Sequence, residues 1–324
     1  MFMRMNNDST WRMPAEWEPQ RGVQLTWPHQ ETDWAPMLDE VTETYVQIAL
    51  EISQRERLLI VAPEPQLAID AIRPRASLQQ MNNITTLACP TDDTWARDHG
   101  FITLTDDQGH LRLLDFCFNG WGRKFAADKD NAINRRLYEA SMTNPTLQEM
   151  VCGDYVDHLD FVLEGGSIES DGQGTIYTTT CCLLAPNRNQ PLSQDEITEQ
   201  LKQRLHARQI VWLDDAQLPG DDTDGHIDTV ARAVPGGLLR LPLPEPIYDE
   251  DGEQLPATYA NFLVINGAVL CPTYGQPEAD AEALRRIGEA FPDRKIVGID
   301  CRNIIRQHGS LHCCTMQFFC GGSL

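Results

Sequence analysis

A glycine, any one residue, then isoleucine or leucine recurs four times along the chain, and each copy carries groups able to do chemistry. The copies are Gly100-Phe101-Ile102, Gly166-Ser167-Ile168, Gly225-His226-Ile227 and Gly309-Ser310-Leu311. In or beside them stand Asp98 and His99, Glu164, Asp224, His226 and Asp228, and His312 and Cys313. Arg21-Gly22-Val23-Gln24-Leu25 reads as a degenerate fifth copy. Pooled, these segments offer a sulfur, imidazoles and several carboxylates. A cysteine with a histidine is a nucleophile with a proton shuttle. Carboxylates next to a thiol raise its pKa and so disfavour the thiolate. They fit when the substrate brings its own positive charge. A guanidinium presents five N–H donors in a planar fork, which two carboxylates can receive while balancing its charge. The bound cation then favours the neighbouring thiolate. The set points to chemistry at a guanidinium carbon.

Competing readings of the same residues are weaker. Placing Gly225 at the sixth position of a calcium loop puts Gly220 first and Ala231 twelfth, so two required acids are missing. His308 and His312 have the zincin spacing, but Gly309 occupies the place of its glutamate. Asp171-Gly172-Gln173-Gly174 lacks the third glycine of a dinucleotide loop and reads as a tight turn. Neither a metal nor an organic cofactor is expected. The ten cysteines include no Cys-x-x-Cys pair, which argues against a zinc ribbon or a redox dithiol. Most read as small buried hydrophobes in a reducing compartment. Cys313 and Cys314 are adjacent; on a strand they point to opposite faces, so one alone can meet the site, and spacing does not choose between them.

These groups need elements to position them, and the intervening sequence alternates helix-like and strand-like patterns. Leu38, Val41, Tyr45, Ile48 and Ile52 predict a helix, and Leu58 to Ala62 a buried strand after it. Ser193 with Glu196 predicts a capping box opening a helix that carries Ile197, Leu201 and Leu205, followed by a strand at 210–213. Leu284, Ile287 and Phe291 mark a further helix, and 296–299 a strand. This is an α/β pattern. The proline-rich stretch from Leu241 to Pro256 reads as an exposed loop within a domain.

The chain of 324 residues carries 26 Lys+Arg against 48 Asp+Glu, a net charge of -22. That balance argues against a nucleic-acid backbone as partner and disfavours an anionic membrane surface. Met1 to Trp17 has no uninterrupted apolar stretch of the secretory type. No apolar run approaches the ~20 residues that span a bilayer. A cytoplasmic location is expected, and a homo-oligomer is compatible with the sequence.

Ordered segments along nearly the whole chain resemble the agmatine deiminase and bacterial-type peptidylarginine deiminase family of guanidino-modifying enzymes. They are Met13-Pro14-Ala15-Glu16-Trp17-Glu18-Pro19 and Thr26-Trp27-Pro28, then Asp93-Thr94-Trp95-Ala96-Arg97-Asp98-His99-Gly100 and Phe118-Asn119-Gly120-Trp121-Gly122. Leu163-Glu164-Gly165-Gly166, Pro186-Asn187-Arg188-Asn189, Asp224-Gly225-His226-Ile227-Asp228, Asn261-Phe262 and His312-Cys313-Cys314-Thr315 complete the series.

The resemblance implies a single domain over 1–324, folded as a five-bladed α/β propeller around a central active site. It implies Cys313 as nucleophile, His226 as general acid/base and Glu164 as the group that orients His226. Asp98 and Asp228 would clamp the guanidinium, with Trp95 and Trp121 lining the substrate channel. The implied substrate is a cationic guanidino molecule, foremost agmatine, with peptidyl or free arginine as the alternative and amidino transfer to an amine as a more remote one. Phe101, Glu169, His308 and Met316 depart from the family's usual residues. Asp214, Asp215 and Asp221 are candidates for a partner to the amine at the substrate's tail.

Overall fold

The computed structural model describes residues 10–214 and 216–321. One strand order recurs through it. The strand Ile102–Thr105 lies antiparallel to Leu111–Cys117, which pairs parallel with Asp154–Val162. Ile168–Ser170, Thr175–Thr179 and Gln209–Leu213 repeat the plan, as do Leu263–Ile265, Ala268–Thr273 and Lys295–Asp300. The last strand, Thr315–Phe319, lies antiparallel to the first, Gln20–Thr26, which pairs parallel with Arg57–Ala62 and through it with Ile84–Ala88. Arg232–Val234 with Gly237–Leu239 keeps only the antiparallel half. Between them, Ile247–Tyr248 pairs with Gln254–Leu255 inside the proline-rich stretch, which is therefore partly ordered.

Each parallel step needs a crossover, and a helix supplies it. Leu38–Ser53 buries Val41, Tyr45, Ile48 and Ile52 against the strand that follows. Gln194–Leu205 opens on the Ser193/Glu196 capping box and buries Ile197, Leu201 and Leu205. Pro277–Ala290 starts with proline at its first position, where the missing N–H costs nothing, and buries Ala283 and Ile287. These are the helices and strands that the periodicity predicts. Among the described residues no helix is long and apolar enough to cross a membrane.

The first strand of every unit is entered through a short segment with site residues in it. Trp95 to Gly100 precedes Ile102–Thr105, Glu164 to Ser167 precedes Ile168–Ser170, His226 to Thr229 precedes Arg232–Val234, and His312 to Cys314 precedes Thr315–Phe319. The fifth entry is Asn261, just before Leu263–Ile265, and not the Gly22 segment. Gly22 sits within Gln20–Thr26, in the middle of its sheet, where the chain is already running as a strand.

Candidate active site

The five entry segments meet. The Gly166 amide donates to Asp98 Oδ1 at 2.9 Å, and Asp98 Oδ1 lies 3.6 Å from His226 Nδ1. His226 Nε2 lies 3.9 Å from Glu164 Oε2, an ion-pair distance rather than a hydrogen bond. Asn261 Nδ2 reaches Asp228 Oδ2 at 3.2 Å and Cys313 Sγ at 3.2 Å. Cys313 Sγ is 3.7 Å from Asp228 Oδ2, and the Cys313 carbonyl accepts from the Arg97 amide at 3.1 Å. Cys313, His226, Glu164, Asp98 and Asp228, predicted from sequence, thus form one cluster, and none is more than 6% exposed. Gly166 allows this approach: a Cβ there would stand 2.6 Å from His226 Nδ1 and 2.8 Å from Asp98 Oδ1.

Trp121 belongs to the cluster more closely than a channel wall would. Its indole Nε1 donates to Asp98 Oδ2 at 3.0 Å. To bring it there the backbone turns left-handed, with φ 54 at Trp121 and φ 68 at Arg123, a cost typical of residues held for a purpose. Trp95 lies over Gly309, and any side chain at Gly309 would run into its ring. Both tryptophans line a cavity of about 340 Å³ with Asp98 and Cys313. Asp33, Asp93, Asp222 and His308 line it too, and no Lys or Arg does among the described residues. The tail candidates differ from those expected. Asp214 accepts from Thr180, and Asp221 is taken up by Thr223 and the Gly225 amide, so both serve local turns and neither lines the cavity. Asp215 lies outside the described residues.

Burial and charge set the protonation states. Burial above all, then Asp228 and Asp98, push the Cys313 thiol well above its ordinary range. Burial opposes a charge on His226, but Asp98, Cys182 and Glu164 outweigh it and hold the imidazole protonated well above the usual histidine range. Burial raises Asp98 to about 6 against the pull of His226, with Asp228 adding to the rise. Burial would raise Asp228 as well, yet the hydrogen bond and charge of His312 bring it below its ordinary value. The free site therefore pairs a neutral thiol with an imidazolium.

Several contributors escaped the sequence reading. His312 Nδ1 bonds Asp228 Oδ2 at 2.7 Å, and its Nε2 bonds Glu16 Oε1 at 2.5 Å. Glu16 pairs in turn with Arg232 at 2.5 Å, and Arg232 with Glu169 at 2.9 Å. Arg188 Nε holds Glu164 Oε1 at 3.0 Å. Glu16, Arg188 and Asn261 lie within the segments that carry the family resemblance, whereas no sequence signal sets Arg232 apart. Cys314 points the other way, its Sγ on the Ser310 carbonyl at 3.4 Å.

The chain is similar to known proteins over nearly its whole length. The model of the Porphyromonas-type peptidyl-arginine deiminase family matches residues 12–239 and 235–318. An agmatine deiminase of Stutzerimonas stutzeri is 30% identical, with 94% of each chain covered. A C. jejuni agmatine deiminase structure, a cysteine-to-serine variant with substrate bound, superposes with TM-score 0.86 at 34% identity over 96% of this chain and 97% of that one. A Porphyromonas gingivalis structure, described provisionally as an arginine deiminase, is 42% identical with TM-score 0.85 over 95% of this chain and 98% of that one. The chain belongs to the Porphyromonas-type peptidyl-arginine deiminase family.

Proposed function

We propose that this chain hydrolyses agmatine to N-carbamoylputrescine and ammonia through a covalent intermediate on Cys313. Asp98 and Asp228 receive the guanidinium N–H groups; Asp228 Oδ1 is buried with no partner of its own and is free to do so. The added cation favours loss of the Cys313 proton, and the thiolate attacks the guanidinium carbon, forming a C–S bond. The C–N bond to one terminal nitrogen then breaks, and His226, acting from Nδ1 beside Asp98, protonates the departing ammonia. Water attacks the thiouronium carbon as His226 takes its proton, the C–O bond forms, and the C–S bond breaks to return the thiol. Glu164 keeps the imidazole in place throughout.

The observation that carries agmatine is the cavity wall. It offers carboxylates from Asp33, Asp93 and Asp222 to a tail ammonium, and no Lys or Arg among the described residues to the carboxylate of free arginine. The 42% identity to the P. gingivalis protein favours an arginine substrate as the second reading. A panel of agmatine, free arginine and an arginyl peptide, assayed for ureido product and ammonia without added amine, tests both. Agmatine should lead by kcat/KM. Faster turnover of arginine or the peptide would favour the second reading, and a strict amine requirement would mean amidino transfer.

We also infer that the five strand units surround the site as propeller blades within one domain, which the recurring strand order and the shared first and last sheet support. The ten unpaired cysteines fit a reducing cytoplasm.

A further inference from the structure

On the Nε2 side of the catalytic imidazole, two buried polar atoms 3.9 Å apart make no hydrogen bond: His226 Nε2 and Glu164 Oε2. Buried polar atoms in folded proteins are almost always bonded, so a facing pair of orphans points to a missing ligand. The third wall of this small space is Cys182, whose side chain is fully buried. One ligating atom from each of Glu164, Cys182 and His226 lies within 4.8 Å of the other two. A carboxylate, a thiol and an imidazole are the donor types that zinc selects. Zinc bonds of ~2.0–2.3 Å place tetrahedral neighbours about 3.5 Å apart, so the three groups need draw in by about an ångström.

We propose that Glu164, Cys182 and His226 form an inhibitory site for zinc, with the fourth position open to water. The outer contacts suit it. Arg188 Nε fixes Glu164 Oε1 at 3.0 Å and leaves Oε2 turned to the site. Asp98 stands 3.6 Å from the far nitrogen of His226, which makes a carboxylate–histidine–metal line. Cys182 is placed by the start of its short helix, where its amide bonds the Thr179 hydroxyl at 3.3 Å. The ion displaces the proton on His226 Nε2 and the thiol proton of Cys182. It leaves His226 with an Nδ1 proton far less acidic than that of an imidazolium, so the ring can no longer trade protons with the leaving ammonia or with water. Cys313 stays unligated, so the effect is separate from capture of the nucleophile by metal.

The test therefore uses full-length, metal-stripped Cys313→Ala protein, in which catalysis plays no part. Titration with Zn²⁺ by calorimetry should give a tight equivalent, and Co²⁺ should give a thiolate-to-cobalt charge-transfer band. Adding Cys182→Ser should abolish that band and weaken zinc by at least the ~10–100-fold that loss of a mere supporting partner costs. Adding Cys182→Ala as a second replacement should do the same, with circular dichroism to establish that both variants are folded. Parent enzyme equilibrated with zinc should lose turnover of whichever guanidino substrate it prefers, and a chelator should restore it. Binding that vanishes with Cys313→Ala alone, or that survives both Cys182 replacements unchanged, would overturn the proposal without touching the assignment of the reaction.

Discussion

Two layers of buried charge lie against each other in this protein, and they differ in how completely they are bonded. In the lower layer, Asp228 Oδ2, His312, Glu16, Arg232 and Glu169 run as a continuous chain of contacts between 2.5 and 2.9 Å. None of the side-chain atoms of His312, Glu16, Arg232 or Glu169 is a buried orphan. In the upper layer, His226 stands 3.6 Å from Asp98 and 3.9 Å from Glu164, and Cys313 3.7 Å from Asp228. Arg188 holds one oxygen of Glu164 at 3.0 Å, but His226 Nε2, Glu164 Oε2 and Asp228 Oδ1 make no hydrogen bond. Asp228 belongs to both, one oxygen in each. The closed layer fixes position; the open one leaves valence for a ligand. A buried ion pair adds little net stability, but breaking one leaves a bare charge and is costly. The two layers should therefore fail differently when altered.

The largest expected effect is on turnover. Cys313→Ala should cost on the order of 10⁴–10⁶ in kcat, the scale of losing a nucleophile, while Cys314→Ala should still turn over. A steady-state assay of the two variants checks this, and the reverse ranking would exchange the two sulfurs. Asp98→Asn should cost ~10²–10³ in kcat/KM by weakening the grip on the cation. Because it also removes an acid that burial has raised to about 6, the folded protein should hold its stability at neutral pH. Thermal melting measured alongside the kinetics separates the two effects.

In the closed layer the balance reverses. Arg232→Met strands Glu16 and Glu169 together, and should lower unfolding stability by ~3–5 kcal/mol in denaturant titration. A loss below about 1 kcal/mol would mean that this layer is not the scaffold described.

The smallest effect is on pH dependence. Asp98 must be ionised to hold a guanidinium, and its folded pKa of about 6 lies above its ordinary value. As pH falls through about 6, the free enzyme takes up a proton there, and kcat/KM should fall toward ~10-fold per unit. In Asp98→Asn that acid limb should flatten. An unchanged limb would assign it to another group.

How much of this was legible in the sequence follows from distance along the chain. Asp98, Glu164, His226, Asp228 and Cys313 each stand in or beside a copy of the glycine repeat, so their types and places could be read directly, while their roles and the choice of Cys313 over Cys314 came from the family resemblance. Glu16 meets Arg232 across 216 residues, a pairing that only the folded topology creates. Asn261 was invisible to the search for repeats because its unit has no glycine in that place. Cys182, followed by Leu183 and Leu184, reads as one more core side chain, and only the orphaned atoms around it give it another meaning. Asp214 and Asp221 looked free as charges in a string; turn hydrogen bonds had already claimed them. The helices from Leu38, Gln194 and Pro277 were legible because caps and apolar stripes act within a few turns.

The sulfur-to-carbon bond is the central claim, and rapid acid quench during turnover followed by peptide mass mapping tests it most directly. Agmatine less ammonia should appear as a transient mass on the peptide that holds Cys313 and nowhere else. Steady turnover with no adduct at any time, or an adduct located on Cys314 or Cys182, would contradict it.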